Sequence, residues 1–194
     1  MRLISSLTVG LQNATLLTVS IAGLLAFFLP FAISVLPHEA SQVSSRMIEA
    51  SLLLALIVEG SLVITVAELV GGPGAGNHAR SVALLGALVA IDATLRLVPS
   101  FLGASPIFAL IVLVGYVFGS RFGFVMGTLT LLLSAAITAG VGPWLPFQML
   151  CTGWVGLASG WLPRWKSARA ELVTAATFGA ATGLAYGALM NLYL

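Results

Sequence analysis

Few residues in this chain can do chemistry, and they stand far apart. Glu59 lies near the middle of an apolar run, about 18 Å along a helix that starts at Met47. An ionisable group at that depth costs a few kcal/mol unless it is paired, hydrated or neutralised. It is open to two readings: a proton or cation site, or a neutral or hydrogen-bonded glutamate facing the inside of a bundle. Asp92 and Arg96 are four apart with the acid first, the favourable order for an ion pair on a helix. Arg96 can equally snorkel to an interface, or bind or orient an anion at the mouth of a pocket. Cys151 has no second cysteine to pair with, and reads as a small core residue or as a ligand to a metal such as cobalt. No phosphate loop, HExxH, nucleophile elbow or fixed pair of acids is present. The chain reads as a non-enzyme without cofactor or metal, so energy for transport would come from an ion gradient or a partner.

A second group of residues suits recognition. The stretch VGPWLPFQM, Val141–Met149, holds Trp144, Phe147 and Gln148 between two prolines. Another connection, VPSFLGASP, carries Phe101. Flat aromatics with a few directional polar groups, and Arg96 beneath them, fit a pocket for a small, partly aromatic organic molecule. Pro143 and Pro146 would hold such a pocket preformed. The competing reading is a belt of aromatics at a membrane interface.

These residues meet only if the elements between them bring them to one side. Of 194 residues 59% are hydrophobic and 7% charged, and the mean hydropathy is +1.10. A water-covered domain carries about a quarter of its residues as charges. Lipid must therefore cover most of this surface, and the apolar runs recur to the last residue. The chain reads as an all-α membrane protein, a compact polytopic bundle of about seven transmembrane helices. The expected spans are Ala14–Leu36, Met47–Val70, Arg80–Val98, Pro106–Gly119, Arg121–Gly140, Pro146–Leu162 and Ala168–Leu192. Pro30 should kink the first unless that helix ends there. No strand-like alternation persists, so a barrel is not expected.

Basic residues assign the sides. Arg2, Arg80, Arg121, Arg164, Lys166 and Arg169 fall on one side, Arg46 and Arg96 on or near the other. The positive-inside rule makes the first side cytoplasmic, with the N-terminus inside and Val141–Met149 outside. His38 and His78 then lie on opposite sides and share no metal. The small basic excess, at pI about 9.1, is not a nucleic-acid footprint. Glycines recur every fourth residue at Gly115, Gly119, Gly123 and Gly127, at Gly156 and Gly160, and at Gly179, Gly183 and Gly187. Such spacing lets helix backbones approach closely in lipid. Residues 1–78 read as an accessory helix pair and 79–194 as a tightly packed core.

The order of the pieces carries a resemblance. AIDATLR at Ala90–Arg96, VGYVFGSRFGFVMGTLTLLLSA at Val114–Ala135 and AGVGPWLPFQML at Ala139–Leu150 resemble the substrate-binding S component of energy-coupling factor (ECF) vitamin transporters. Within that family they are most similar to a group found in actinobacteria and their relatives. The resemblance runs from about Arg80 to the end of the chain. It implies a plasma-membrane protein of a prokaryote that captures a vitamin or related micronutrient from outside. It also implies a transmembrane T component bearing two ATPases, on which the S component docks and topples to release cargo. Small residues four apart on the first core helix meet the T component in that family; Ala83 with Ala87, and Gly86 with Ala90, match that pattern. Family cores have six helices where 79–194 supplies five. Either one N-terminal helix joins the core or a last helix is missing from this chain. Asp92 departs from the pattern, which has a neutral residue there. Two functions of other classes stand beside this one: an ion-coupled secondary carrier using Glu59, and a membrane scaffold subunit without a small ligand.

Overall fold

Without water to bond them, backbone N–H and C=O groups in lipid must find partners within their own segment, and uncharged runs therefore form helices. A computed structural model of the chain describes residues 2–33, 42–70, 75–97 and 105–193, with side-chain surroundings for 7–28, 48–67, 79–97 and 105–191. Among the described residues there are seven helices and no strand. They are α1 Arg2–Ile33, α2 Gln42–Val70, α3 Ala75–Leu95, α4 Ile107–Phe118, α5 Ser120–Thr138, α6 Leu145–Ser159 and α7 Ala168–Tyr193. The stretches Leu7–Phe28, Ile48–Ala67, Ser120–Thr138 and Ala168–Asn191 are long and apolar enough to cross a membrane. The chain is an all-α polytopic membrane bundle.

The helices follow the expected spans to within a few residues except at the start of α1. Helix α1 starts at Arg2 rather than near Ala14, and its polar residues find partners inside the helix or on α2. Thr15 and Thr18 donate back to the carbonyls of Leu11 and Ala14 at 2.9 Å, and buried Gln12 donates to the Ile64 carbonyl at 3.3 Å. The helix continues through Pro30 to Ile33. Helix α6 starts at Leu145, one residue before the expected Pro146, so Phe147, Gln148 and Met149 lie at its start. Pro146 in that turn loses no hydrogen bond, since the first amides of a helix have no partner within it. His38 and Phe101 lie outside the described residues, as do the side chains of Arg46 and His78.

The tightest junction is between α5 and α6. A Cβ at Gly123 would overlap the Gly156 carbonyl, and one at Gly156 would overlap the Gly123 backbone. With no side chain between them the two backbones touch, and Thr152 Oγ1 donates across to the Gly127 carbonyl at 2.9 Å. Gly119 joins α4 to α5 with φ of 98°, a conformation that side chains resist. Around this seam Phe124, Met126, Leu131, Met149 and Leu150 are fully buried. The α2 helix packs on α3, α5 and α6, and the Ser61 and Thr128 hydroxyls share a hydrogen bond of 2.9 Å. Helix α1 packs on α2 and α6, where Gly23 admits Leu150 and Gly60 admits Val19.

The glycines of α7 do not behave like those of α5 and α6, although their spacing is the same. A Cβ at Gly187 would meet nothing within 4 Å, and one at Gly179 would make only an ordinary contact at 3.8 Å. Among the described residues α7 packs chiefly on α4 and α6 and leaves most of its surface exposed. Tight packing therefore ends before the last helix. Glu59 is also not where a bundle-facing acid would be. It lies on the exposed face of α2 with Leu52, Leu62 and Val66.

Candidate functional site at converging helix ends

Four helix ends converge on one side of the bundle: the end of α3, the starts of α4 and α6, and the last third of α7. Helix α3 stops at Leu95, and the turn that follows is closed by a Leu97 N–H to Thr94 C=O bond of 3.0 Å. That turn lifts Arg96 off the helix. Its Nη2 donates to Gln148 Oε1 at 3.2 Å, and both side chains are half-buried. One turn on in α6, the Thr152 hydroxyl lies 2.9 Å from both the Gln148 and the Gly127 carbonyls and shares its one proton between them. Tyr186 of α7 lies within electrostatic range of Arg96, and its ring meets Phe108 edge-on at 5.2 Å.

With Oε1 occupied by Arg96, the Gln148 amide has its two N–H bonds left over, and the guanidinium keeps most of its five. Arg96 and Gln148 together thus present donors and a positive charge. That combination recognises an acceptor-rich group such as a carboxylate, an amide edge or a phosphate.

One turn below, Asp92 and Arg96 do not form the pair their spacing allows. Arg96 lies past the last helical residue, so the helical geometry that would bring the two together is lost. Asp92 is fully buried instead, and Thr130 Oγ1 donates to its Oδ2 at 3.1 Å. Its Oδ1 and the buried Ser134 hydroxyl have no hydrogen-bond partner among the described residues. A polar seam between α3 and α5 therefore lies beneath the Arg96–Gln148 pair.

The aromatic residues expected at the site divide. Trp144 is 39% exposed at the start of α6, with its ring folded over Gly142. Phe147 turns inward, 5% exposed, and packs against Phe27 of α1 at 6.2 Å. Arg96 and Gln148 are brought together, Trp144 borders them in sequence, and Phe147 belongs to the core. Sequence reasoning missed Tyr186, Thr130 and Ser134. The hydroxyls carried a signal, since Thr130 and Ser134 are one turn apart on a helix that must face Asp92. Tyr186 carried none, because most of its neighbours in α7 are apolar.

A family model described as the ECF transporter, substrate-specific component, matches residues 80–194, more than half of the chain. The chain belongs to that family. It is a membrane substrate-binding subunit of an ECF transporter and not an enzyme. No curated protein and no solved structure matches it. Helices α1 and α2 lie outside the matched residues. In this S component the face of α3 that carries Ala83, Gly86, Ala87 and Ala90 is exposed, and a Cβ at Gly86 would meet nothing within 4 Å. The opposite face, with Leu85, Val89, Asp92 and Ala93, is buried against the bundle.

Proposed function

We propose that this S component captures a vitamin or related micronutrient at the outer helix ends and delivers it to a T component carrying two ATPases. The observation that carries the first half is the half-buried pair of Arg96 and Gln148, two directional donors at the convergence of four helices. Trp144, exposed at the start of the same helix as Gln148, offers flat apolar surface, Phe101 joins the site on the sequence reading alone, and the ligand is a small molecule with an acceptor-rich end. The second half is supported by the exposed small-residue face of α3, where Ala83, Gly86, Ala87 and Ala90 allow a partner helix to approach closely. We further infer that α2 is the sixth helix of the core, because it packs on α3, α5 and α6. Glu59, the coupling acid of the alternative ion-coupled carrier, lies on the exposed face of α2 and not in the bundle interior.

The test is a thermal-shift screen of the purified chain against vitamins, followed by titration of the ligand that responds. A ligand at a hundred times its Kd stabilises the folded state by about 2.7 kcal/mol, which a screen detects. Arg96→Gln should then weaken binding by about tenfold to a hundredfold, the loss expected for hydrogen bonds to a charged group. Unchanged affinity in that variant would remove the pair from the site.

The proposed orientation puts the N-terminus in the cytoplasm, as the distribution of basic residues requires. Val141 and Ser167 are both exposed, at opposite ends of α6. With the buried Cys151 replaced by alanine, Val141→Cys should react with an impermeant thiol reagent in intact cells and Ser167→Cys should not. The reverse labelling would invert the topology.

A further inference from the structure

Helices α1 and α6 run antiparallel and leave a groove between them on the surface of the bundle. Trp154 Nε1 donates to Ser20 Oγ at 3.1 Å along its floor. The longer part of the groove, about 660 Å³, is walled by Leu17, Ile21, Leu24, Trp154 and Leu157. Beside it lies a second hollow of about 420 Å³ that shares Asn13, Leu16, Leu157 and Trp161 and adds Ser120 and Arg121. One end is thus apolar and the other carries an amide, a hydroxyl and a guanidinium. Arg121 donates to Asn13 Oδ1 through Nε at 3.3 Å and Nη2 at 3.1 Å. Asn13 is neutral, so the charge of Arg121 is not cancelled by that partner and its remaining N–H groups are available.

The dimensions point to one occupant. From Asn13 to Leu24 the helix rises about 16 Å, close to half of a hydrocarbon core about 30 Å thick. The groove therefore spans one leaflet, with its polar foot at the interface where Arg121 and the exposed Trp161 lie. A partner helix fits poorly, because close helix contact needs small residues and these walls are leucine, isoleucine and tryptophan. We infer that the α1–α6 groove is a binding site for an anionic phospholipid, with an acyl chain along Leu17, Ile21 and Leu24 and the phosphate at Arg121. The interaction does not depend on which leaflet the foot occupies, nor on the substrate proposed above.

The test uses the full chain in detergent micelles doped with equal amounts of phosphatidylglycerol and phosphatidylcholine of identical chains. Bound lipid is counted by native mass spectrometry. Phosphatidylglycerol should be retained about fivefold over phosphatidylcholine, the preference that one basic residue near the surface confers. Arg121→Gln should bring the ratio close to one. Asn13→Ala removes the same hydrogen bonds but keeps the charge, and should preserve the preference. Leu17→Trp fills the groove and should reduce retention of both lipids, while free glycerol phosphate should not compete. Equal retention of the two lipids by the unmodified chain would overturn the site. So would an unchanged preference in Arg121→Gln, full retention in Leu17→Trp, or displacement by glycerol phosphate.

Discussion

Uptake through the assembled transporter should fall at least tenfold when Ala87 is replaced by tryptophan, while the purified chain keeps its ligand affinity. Ala87 lies in the middle of the exposed face of α3, with Ala83 one turn before it and Gly86 and Ala90 beside it. A partner helix can approach that face to backbone contact only while no large side chain stands on it. An indole there holds the partner away and forfeits the packing that drives association in lipid. It should not disturb the fold, because the buried side of α3 faces the other way, through Leu85, Val89 and Asp92. Leu172→Trp is the matched control: that residue of α7 is 71% exposed, so the same bulk is added away from the proposed docking face. Radiolabelled uptake in cells, beside ligand titration of the purified protein, separates the outcomes. Equal uptake in Ala87→Trp and Leu172→Trp would remove α3 from the docking interface.

Gly156→Leu should destabilise the bundle by about 3 kcal/mol or more, whereas Gly187→Leu should leave its stability nearly unchanged. At Gly156 even a Cβ overlaps the backbone of Gly123, so the obstacle is main chain that cannot rotate aside. Accommodating leucine means separating α5 from α6, which also breaks the Thr152 hydrogen bond to the Gly127 carbonyl. The cost lies at or beyond the upper end of core overpacking, about 3 kcal/mol, against a total stability of about 5–15 kcal/mol. At Gly187 the added side chain enters open space, and replacing glycine within a helix is itself slightly favourable. Unfolding temperature in detergent and the yield of monodisperse protein measure both. Similar losses at the two positions would mean that α7 packs as tightly as α6.

Why these two glycines differ marks the limit of what spacing conveys. A repeat of four puts small residues on one helix face, and that much is legible in GYVFGSRFGFVMG and in GLAYGALM alike. Whether another backbone lies over that face depends on where the neighbouring helix crosses. For α5 the crossing helix is α6, and the contact falls on Gly123 and Gly156. For α7 the neighbours reach only one edge. The same limit applies to the site. That Arg96 and Gln148 belong to one side follows from the order of the spans. Their hydrogen bond does not, because it requires α3 to stop at Leu95 and α6 to begin at Leu145.

Composition and the recurring apolar runs determined, without coordinates, that this chain is a helical membrane protein, and the motifs between Ala90 and Leu150 pointed to the family that the match over residues 80–194 shows. Both are properties of the chain read in order: lipid demands uncharged runs, and a motif is a run of residues. The tertiary structure alone decided which residues face each other across the sequence. It turned Phe147 into the core and paired Asp92 with Thr130 rather than Arg96. It also put Glu59 on the outside of α2 and brought Arg121 to Asn13 at the foot of the α1–α6 groove. Each of these depends on the rotation of one helix about its axis relative to another. In a chain apolar on nearly all sides, no contrast between wet and dry faces records that rotation, so only packing sets it.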